Sequence, residues 1–287
     1  MADVLFIIFI ASVVAYCDFK ISKPNWGAVW NGVGAVPEVL KGDFYEPMQF
    51  RVLVPWLCRL FGKKETWQEY VGVYVGVKWA GILFAIVACY SYFGSLGLPL
   101  VSSICLLALW LVWISMYDYA DVYYELGFLA VSLLLLTSGA EWALLATIPI
   151  VILAALNRET AILIPVIACF THGVMGGGLL GFAFLVGYAI PRVIYHSCDR
   201  YCSLIMIKKN IKNLRAFVAK PIPINEYWHL LLLVIIGIAL FCVTQLTYLD
   251  WIMAVFFGLM LIPSMWREVR VFTPVMLVLI PKAVGVL

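Results

Sequence analysis

Charged residues are scarce in this chain. Asp, Glu, Lys and Arg make up 12% of its 287 residues, and apolar residues make up 65%. In a soluble domain about a quarter of the residues are charged. This chain has too few charged residues to form the surface of a water-soluble protein. It also lacks the regularly alternating strands that a membrane β-barrel requires. The composition therefore predicts an integral membrane protein built from α-helices.

An excess of basic charge is missing as well. The formal net charge is only +3, and the basic residues are spread among hydrophobic runs. We therefore predict no binding to nucleic acid.

Most of the eight cysteines lie in apolar stretches, which is typical of buried thiols. His196, Cys198 and Cys202 form an incomplete zinc pattern, which a local disulfide or plain interfacial thiols explain equally well. No metal site is predicted from them.

Long hydrophobic runs are abundant, and about twenty apolar residues suffice to cross a bilayer. The stretch 161–190 is interpreted as two short helices that turn at His172 and Gly173, because a single helix would be about 45 Å long. The sequence thus predicts one all-α domain over residues 1–287, a polytopic transmembrane bundle with nine or ten spans. The candidate spans are residues 4–17, 70–92, 99–116, 120–137, 142–156, 161–171, 174–190, 227–247, 251–264 and 271–286.

The segments between these spans are very unequal in length. Two long polar segments, 18–69 and 191–226, fall on one predicted membrane face, and the opposite face has tight turns. Over residues 204–218, apolar side chains recur at helical spacing beside lysines and an arginine, which predicts an amphipathic helix in the headgroup layer. Residues 26–40 are a weaker candidate of the same kind. The Lys and Arg distribution places the polar face in the cytoplasm.

Carboxylates in the first polar segment are candidates for a general base. Asp18 directly follows the first span, and Asp43 and Glu46 lie further along. Solvated loop acids would produce the same pattern. Arg51 precedes a short apolar segment, where an arginine can bind phosphate in a bidentate fork or act as a snorkelling anchor.

Acidic residues also collect at the start of the predicted fourth span. Asp118, Asp121 and Glu125 are spaced so that they share one helical face. There they could hold a divalent cation or the hydroxyl groups of a sugar, or simply stabilise the start of a helix. Tyr123 and its tyrosine neighbours indicate an aromatic belt at the membrane interface.

Further ionisable residues lie at membrane depth, where they are functional candidates. Arg158 and Glu159 form a polar turn between two spans, which predicts helix caps or groups that face a common cavity. Lys78 lies inside the second span and requires an acidic partner. Two more charged residues precede the last span and could complete the same polar layer, namely Glu268 and Arg270.

Three of these segments together resemble the GT-C-type membrane glycosyltransferases or a degenerate, non-catalytic relative of them. They are Phe-Arg-Val-Leu-Val-Pro-Trp-Leu at 50–57, Asn-Arg-Glu-Thr at 157–160 and Glu-Val-Arg at 268–270, and the acidic first polar segment with Asp18 and Asp43 is the fourth feature of the resemblance. The resemblance implies transfer of a sugar from a polyprenyl-phosphate donor, with Asp18 or Asp43 as the base. It places the polar face outside the cytoplasm, against the Lys and Arg count. It implies Arg51, Arg158 and Arg270 as phosphate contacts and Glu159 as a substrate-binding or supporting acid. Together with the residues singled out above, the candidate substrate contacts are Glu46, Arg51, Asp118, Asp121, Arg158, Glu159, Glu268 and Arg270.

Two other functional classes are compatible with the sequence. One is a non-catalytic membrane subunit or scaffold that packs against partner subunits. The other is a transporter of lipids or small molecules, which would show polar residues near the midplane and often an inverted repeat. Membrane lipids are partners in every case. A divalent cation is the one cofactor that the acidic residues suggest.

Overall fold

The computed structural model describes residues 2–23, 32–42, 51–62, 64–115, 120–140, 142–195, 234–235, 237–238, 245–260 and 273–286. Five of the candidate site residues lie outside these ranges, namely Asp43, Glu46, Asp118, Glu268 and Arg270. The predicted amphipathic helix 204–218 and the cysteine pattern around Cys198 lie outside them too. The described residues therefore include most of the bundle and the other candidate site residues, namely Asp18, Arg51, Asp121, Arg158 and Glu159.

The described part of the chain is an all-α bundle, as predicted. Its α-helices, in chain order, are α1 (Ala2–Ser22), α2 (Gly32–Lys41), α3 (Leu53–Arg59), α4 (Trp67–Ser95), α5 (Leu100–Ile114), α6 (Asp121–Thr137), α7 (Ala143–Asn157), α8 (Leu163–Thr171), α9 (Gly173–Ile194), α10 (Tyr248–Met260) and α11 (Met276–Val286). A short 3-10 helix, Glu159–Ile162, joins α7 to α8.

The centre of the bundle is the packing of α4 against α6. The ring of Phe84 on α4 meets Phe128 on α6 edge-on, with 5.2 Å between the ring centroids. Beside them, the hydroxyl group of Tyr124 donates a hydrogen bond of 2.8 Å to the Val77 carbonyl of α4. A carbonyl on a helix accepts a side-chain donor without losing its own helical bond, so aromatic packing and hydrogen bonding together fix the relative position of the two helices.

Helices α7 and α9 approach closely at a glycine. A Cβ atom built on Gly187 would lie 2.5 Å from the Ile152 carbonyl oxygen and 2.9 Å from the Ala155 Cβ atom. Small residues allow helix backbones to come close in membrane bundles, where van der Waals packing drives association. Gly187 therefore determines how near these two helices can lie.

The stretch 161–190 forms two helices, so that prediction is confirmed. Helix α8 ends at Thr171, where the His172 amide still donates to the Ala168 carbonyl at 2.8 Å. Gly173 then adopts a φ of 71°, in the left-handed region that glycine occupies without strain. The chain reverses at this point, and α9 packs back along α8.

Helix α1 corrects the first predicted boundary. The sequence placed the end of the first span at Cys17 and Asp18 at the start of the first polar segment, whereas α1 continues to Ser22 and Asp18 is buried. Asp18 can lie inside the helix because its carboxylate forms an ion pair with Lys78 and does not need to be solvated by water. Residues 32–41 also belong to the bundle, since α2 buries Val33 and Val36 against α3 and α4.

Three described helices, α1, α4 and α9, are long and apolar enough to cross a membrane, and the chain is accordingly a membrane protein. Several other apolar helices are shorter than a full membrane span. For example, α7 has 15 residues, or about 22 Å at 1.5 Å per residue, against a hydrocarbon core of about 30 Å. Helix lengths among the described residues therefore do not reach nine or ten full spans.

The two ends of the bundle differ in character. At the end that we call the polar end, α7 finishes and α6 begins, and the Trp56 indole donates a hydrogen bond of 3.0 Å to the Tyr195 hydroxyl group. At the other end, which we call the turn end, α8 finishes and α10 begins, with Phe170 stacked on Tyr248. The candidate site lies at the polar end.

Candidate functional site

Five charged side chains meet at the polar end of the bundle, and we call them the ionic cluster: Arg51, Asp121, Glu125, Arg158 and Glu159. The Arg51 guanidinium lies 3.4 Å from the Asp121 carboxylate and 3.2 Å from that of Glu159. The Arg158 guanidinium lies 2.7 Å from Glu125 and 3.6 Å from Asp121. Asp121 thus contacts both arginines and connects the two halves of the cluster.

The backbone explains why these residues meet. Arg158 ends α7 with an extended conformation, φ −156° and ψ 151°, so the chain leaves the helix axis there. The amide of Val52 donates to the Leu156 carbonyl at 3.0 Å, which holds Arg51 beside the end of α7. The Asn157 side-chain amide donates to the Asp121 carbonyl at 2.7 Å and attaches the start of α6 to the same point.

The cluster has a buried part and an outer part. Asp121, Glu125 and Arg158 are all buried, and Arg158 is only 2% exposed. The side chain of Arg51 is 13% exposed and that of Glu159 is 32% exposed. A molecule that approaches the polar end therefore meets Arg51 and Glu159 before the other three.

The charge state of Arg51 follows from its neighbours. Burial by itself lowers the pKa of the Arg51 guanidinium, but the carboxylates of Glu159 and Asp121 outweigh burial and raise this pKa above its ordinary value. Arg51 therefore remains cationic. The three carboxylates of the cluster face two guanidinium groups, so the formal charge has a negative excess.

Asp121 and Glu125 do share one face of α6, as predicted, but that face is occupied by Arg158. The Thr160 hydroxyl group also donates to Glu125. The cavity beside Glu125 and Arg158 has a volume of about 10 Å³, no more than a single water molecule needs. No group of His, Cys, Asp and Glu side chains suited to a metal ion occurs among the described residues. These residues do not fit a divalent cation.

Asp18 belongs to a second cluster, on another side of α6. Its carboxylate lies 2.6 Å from the Lys78 ammonium group and accepts a hydrogen bond of 2.7 Å from the Tyr123 hydroxyl group. The predicted acidic partner of Lys78 is thereby confirmed, and it is Asp18. Tyr123 is two residues from both Asp121 and Glu125, so it points away from the ionic cluster.

Sequence reasoning missed several members of these clusters. Tyr123 was interpreted as part of an aromatic belt, but it is 1% exposed and binds Asp18. Its spacing from Asp121 and Glu125 placed Tyr123 on the opposite side of the same helix, and nothing in the sequence indicated that this side is buried as well. Thr160 and Asn157 were also missed as hydrogen-bond partners of α6. The sequence gives no sign that this turn contacts a helix that begins more than thirty residues earlier.

Comparison of the chain with protein-family models, with curated proteins and with solved structures gave no match. A functional assignment therefore rests on the ionic cluster, on the charged segments next to it in sequence and on the resemblance that those segments carry.

Proposed function

We propose that this membrane protein is a GT-C-type glycosyltransferase, which transfers a sugar from a polyprenyl-phosphate donor to an acceptor at the polar end of the bundle. The observation that carries the proposal is the ionic cluster. It brings Arg51, within the first polar segment, into contact with the Asn-Arg-Glu-Thr turn at 157–160. These are two of the three segments on which the family resemblance depends.

Arg51 is the proposed contact to the donor phosphate. It is cationic and lies in the outer part of the cluster, and its guanidinium can present two parallel N–H groups to phosphate oxygens. Its partner Glu159 is the most exposed carboxylate of the cluster, so a phosphate with more charge can replace it. Arg158 is buried between Asp121 and Glu125 and acts as a positioning residue.

Asp43 is the proposed base. A general base must come within hydrogen-bond reach of the acceptor hydroxyl group, and Asp18 is already held by Lys78 and Tyr123 inside the bundle. Asp43 precedes Arg51 in the same polar segment, outside the described residues. The other proposed substrate contacts outside the described residues are Glu46, Asp118, Glu268 and Arg270.

The same proposal includes the membrane topology. We propose that the chain crosses the membrane nine or ten times as a single domain, with the polar end outside the cytoplasm. The short helices α7 and α10 then require local thinning of the bilayer or tilting of their neighbours, each at a modest free-energy cost.

The test is a transfer assay with the purified full-length protein in lipid nanodiscs and a labelled polyprenyl-phosphate sugar. Asp43→Asn should lower turnover by about a hundredfold or more and leave donor binding nearly intact, given the usual worth of general-base catalysis. Arg51→Lys keeps the charge but loses the fork, so it should raise the KM for the donor more than it lowers kcat. If the parent protein transfers no sugar from any polyprenyl donor, the proposal is wrong.

A second candidate is a non-catalytic membrane subunit. It is favoured by the way the arginines of the ionic cluster face three carboxylates, an arrangement that can serve stability alone. This candidate predicts no transfer activity and co-purification with other membrane subunits. It also predicts that Asp43→Asn supports the host as well as the parent protein does.

A further inference from the structure

A cleft at the turn end of the bundle lies far from the ionic cluster and has no role in the proposed function. It lies where α4 ends, α10 begins and α11 passes, and its volume is about 460 Å³. Tyr92, Leu96, Thr247, Asp250 and Lys282 are among the residues that line it. Clefts of about 300 to 1,000 Å³ are the usual size for small-molecule sites.

Asp250 is the unusual residue in this cleft, because it is charged and fully buried. One carboxylate oxygen, Oδ2, accepts hydrogen bonds from the backbone amide and the hydroxyl group of Thr247. The Lys282 ammonium group lies 3.1 Å from the same oxygen. The other oxygen, Oδ1, is buried without a hydrogen-bond partner among the described residues. A capping role at the start of α10 accounts for the hydrogen bonds of Oδ2. It does not account for the burial of Oδ1 without a partner.

The surroundings place the cleft at the membrane interface. Exposed Trp and Tyr side chains of the described turn end are Trp142, Tyr248 and Trp251. Exposed Trp and Tyr rings collect where the hydrocarbon core meets the headgroup layer. Part of the cleft wall is apolar, through Leu277 and Val278. The cleft thus offers a buried carboxylate and an ammonium group at headgroup level, next to a surface suited to lipid tails.

We propose that this cleft binds the headgroup of an amine-bearing zwitterionic phospholipid, of the phosphatidylethanolamine type. The ammonium group of the lipid donates a hydrogen bond to Asp250 Oδ1, and the lipid phosphate contacts the Lys282 ammonium group. The positive and negative groups of the headgroup thereby match the negative and positive groups of the cleft. A choline headgroup has a positive charge but no N–H group, so it cannot satisfy Asp250 Oδ1.

The test compares two lipids that differ only in the headgroup. The full-length protein is reconstituted in bilayers of phosphatidylcholine with a small fraction of phosphatidylethanolamine of the same acyl chains. Lipids retained by the protein are then counted by native mass spectrometry. The ethanolamine lipid should be enriched by about tenfold, the usual worth of one hydrogen bond to a charged group. Equal retention of the two lipids overturns the proposal.

Three variants assign the preference to this cleft. Asp250→Asn and Leu96→Trp should both abolish the enrichment, the first by removing the carboxylate and the second by filling the cleft. Asp3→Asn is the matched control, since Asp3 is an exposed acid at the start of α1, and it should keep the full enrichment. Leu96 is 45% exposed, so Leu96→Trp decides the question even if Asp250→Asn fails to fold. Enrichment that survives Leu96→Trp overturns the proposal.

Discussion

Arg158 has the largest fully buried side chain among the described residues. Removal of one partner of a buried ion pair leaves the other partner charged and away from water. We expect Arg158→Gln to lower the free energy of unfolding by about 3–5 kcal/mol, because Glu125 loses its nearest cation and Asp121 loses one of two. The midpoint of thermal unfolding in detergent measures this change.

The matched control is Arg59→Gln, because Arg59 lies exposed at the end of α3. Its free energy of unfolding should change by less than about 0.5 kcal/mol. If the two variants unfold at the same temperature, the ionic cluster does not stabilise the bundle, and its residues serve another purpose than folding.

The pair of Asp18 and Lys78 permits a double-mutant cycle. Asp18→Asn and Lys78→Met should each destabilise the bundle, and the double variant should be more stable than the sum of the two single effects predicts. The coupling energy should lie between about 0.5 and 3 kcal/mol, as is usual for charged groups in contact. Unfolding of the parent and the three variants under one set of conditions gives this value. Additive effects would show that the pair does not interact.

At the scale of single residues, the sequence indicated that Lys78 needs a partner but not which residue that partner is. Lys78 was expected to need an acid because an isolated charge inside a span is unfavourable. The identity of that acid could not be derived, since Asp18 and Lys78 meet through the packing of α1 on α4. For the same reason, Arg158 was not predicted to separate Asp121 from Glu125.

At the scale of helices, the close approach of α7 and α9 gives a sharp prediction. Gly187→Ala places a methyl group against the Ile152 carbonyl oxygen, and backbone cannot move aside as a side chain can. We expect a loss of about 1–3 kcal/mol, which is typical of overpacking. Gly181→Ala, on the same helix with no atom within 4 Å of the new Cβ, should be neutral or stabilising by up to about 1 kcal/mol.

The sequence predicted where helices occur better than it predicted the residues at which they end. The break was predicted because a single helix would be too long, and the glycines after His172 located it, since glycine permits the left-handed conformation that Gly173 adopts. The end of α1 was misplaced because an aspartate normally marks the edge of the hydrocarbon core. Asp18 does not, since a buried lysine neutralises it.

At the scale of the whole molecule, composition alone predicted the membrane class, because a chain with so few charges has no other stable surface. The proposed topology then predicts the side on which each segment is labelled. Cysteines introduced at Glu65 and Lys212 should react with a membrane-impermeant maleimide from one side of sealed vesicles, and a cysteine at Ser138 from the other. The native cysteines are replaced beforehand. Labelling of Lys212→Cys from the same side as Ser138→Cys would contradict the proposed number of crossings.

The hydrogen bond from Arg51 to Glu159 has a consequence for biosynthesis, because 108 residues separate the two partners in sequence. A ribosome that adds about 5 to 20 residues per second needs roughly 5 to 20 s to synthesise that length. During this time Arg51 has already emerged and Glu159 does not yet exist, although the other carboxylate partner of Arg51, Asp121, is made after 70 residues. The nascent chain must therefore keep the arginine in water or among lipid headgroups until Asp121 is made, and the polar end can close only after α7 has entered the bilayer.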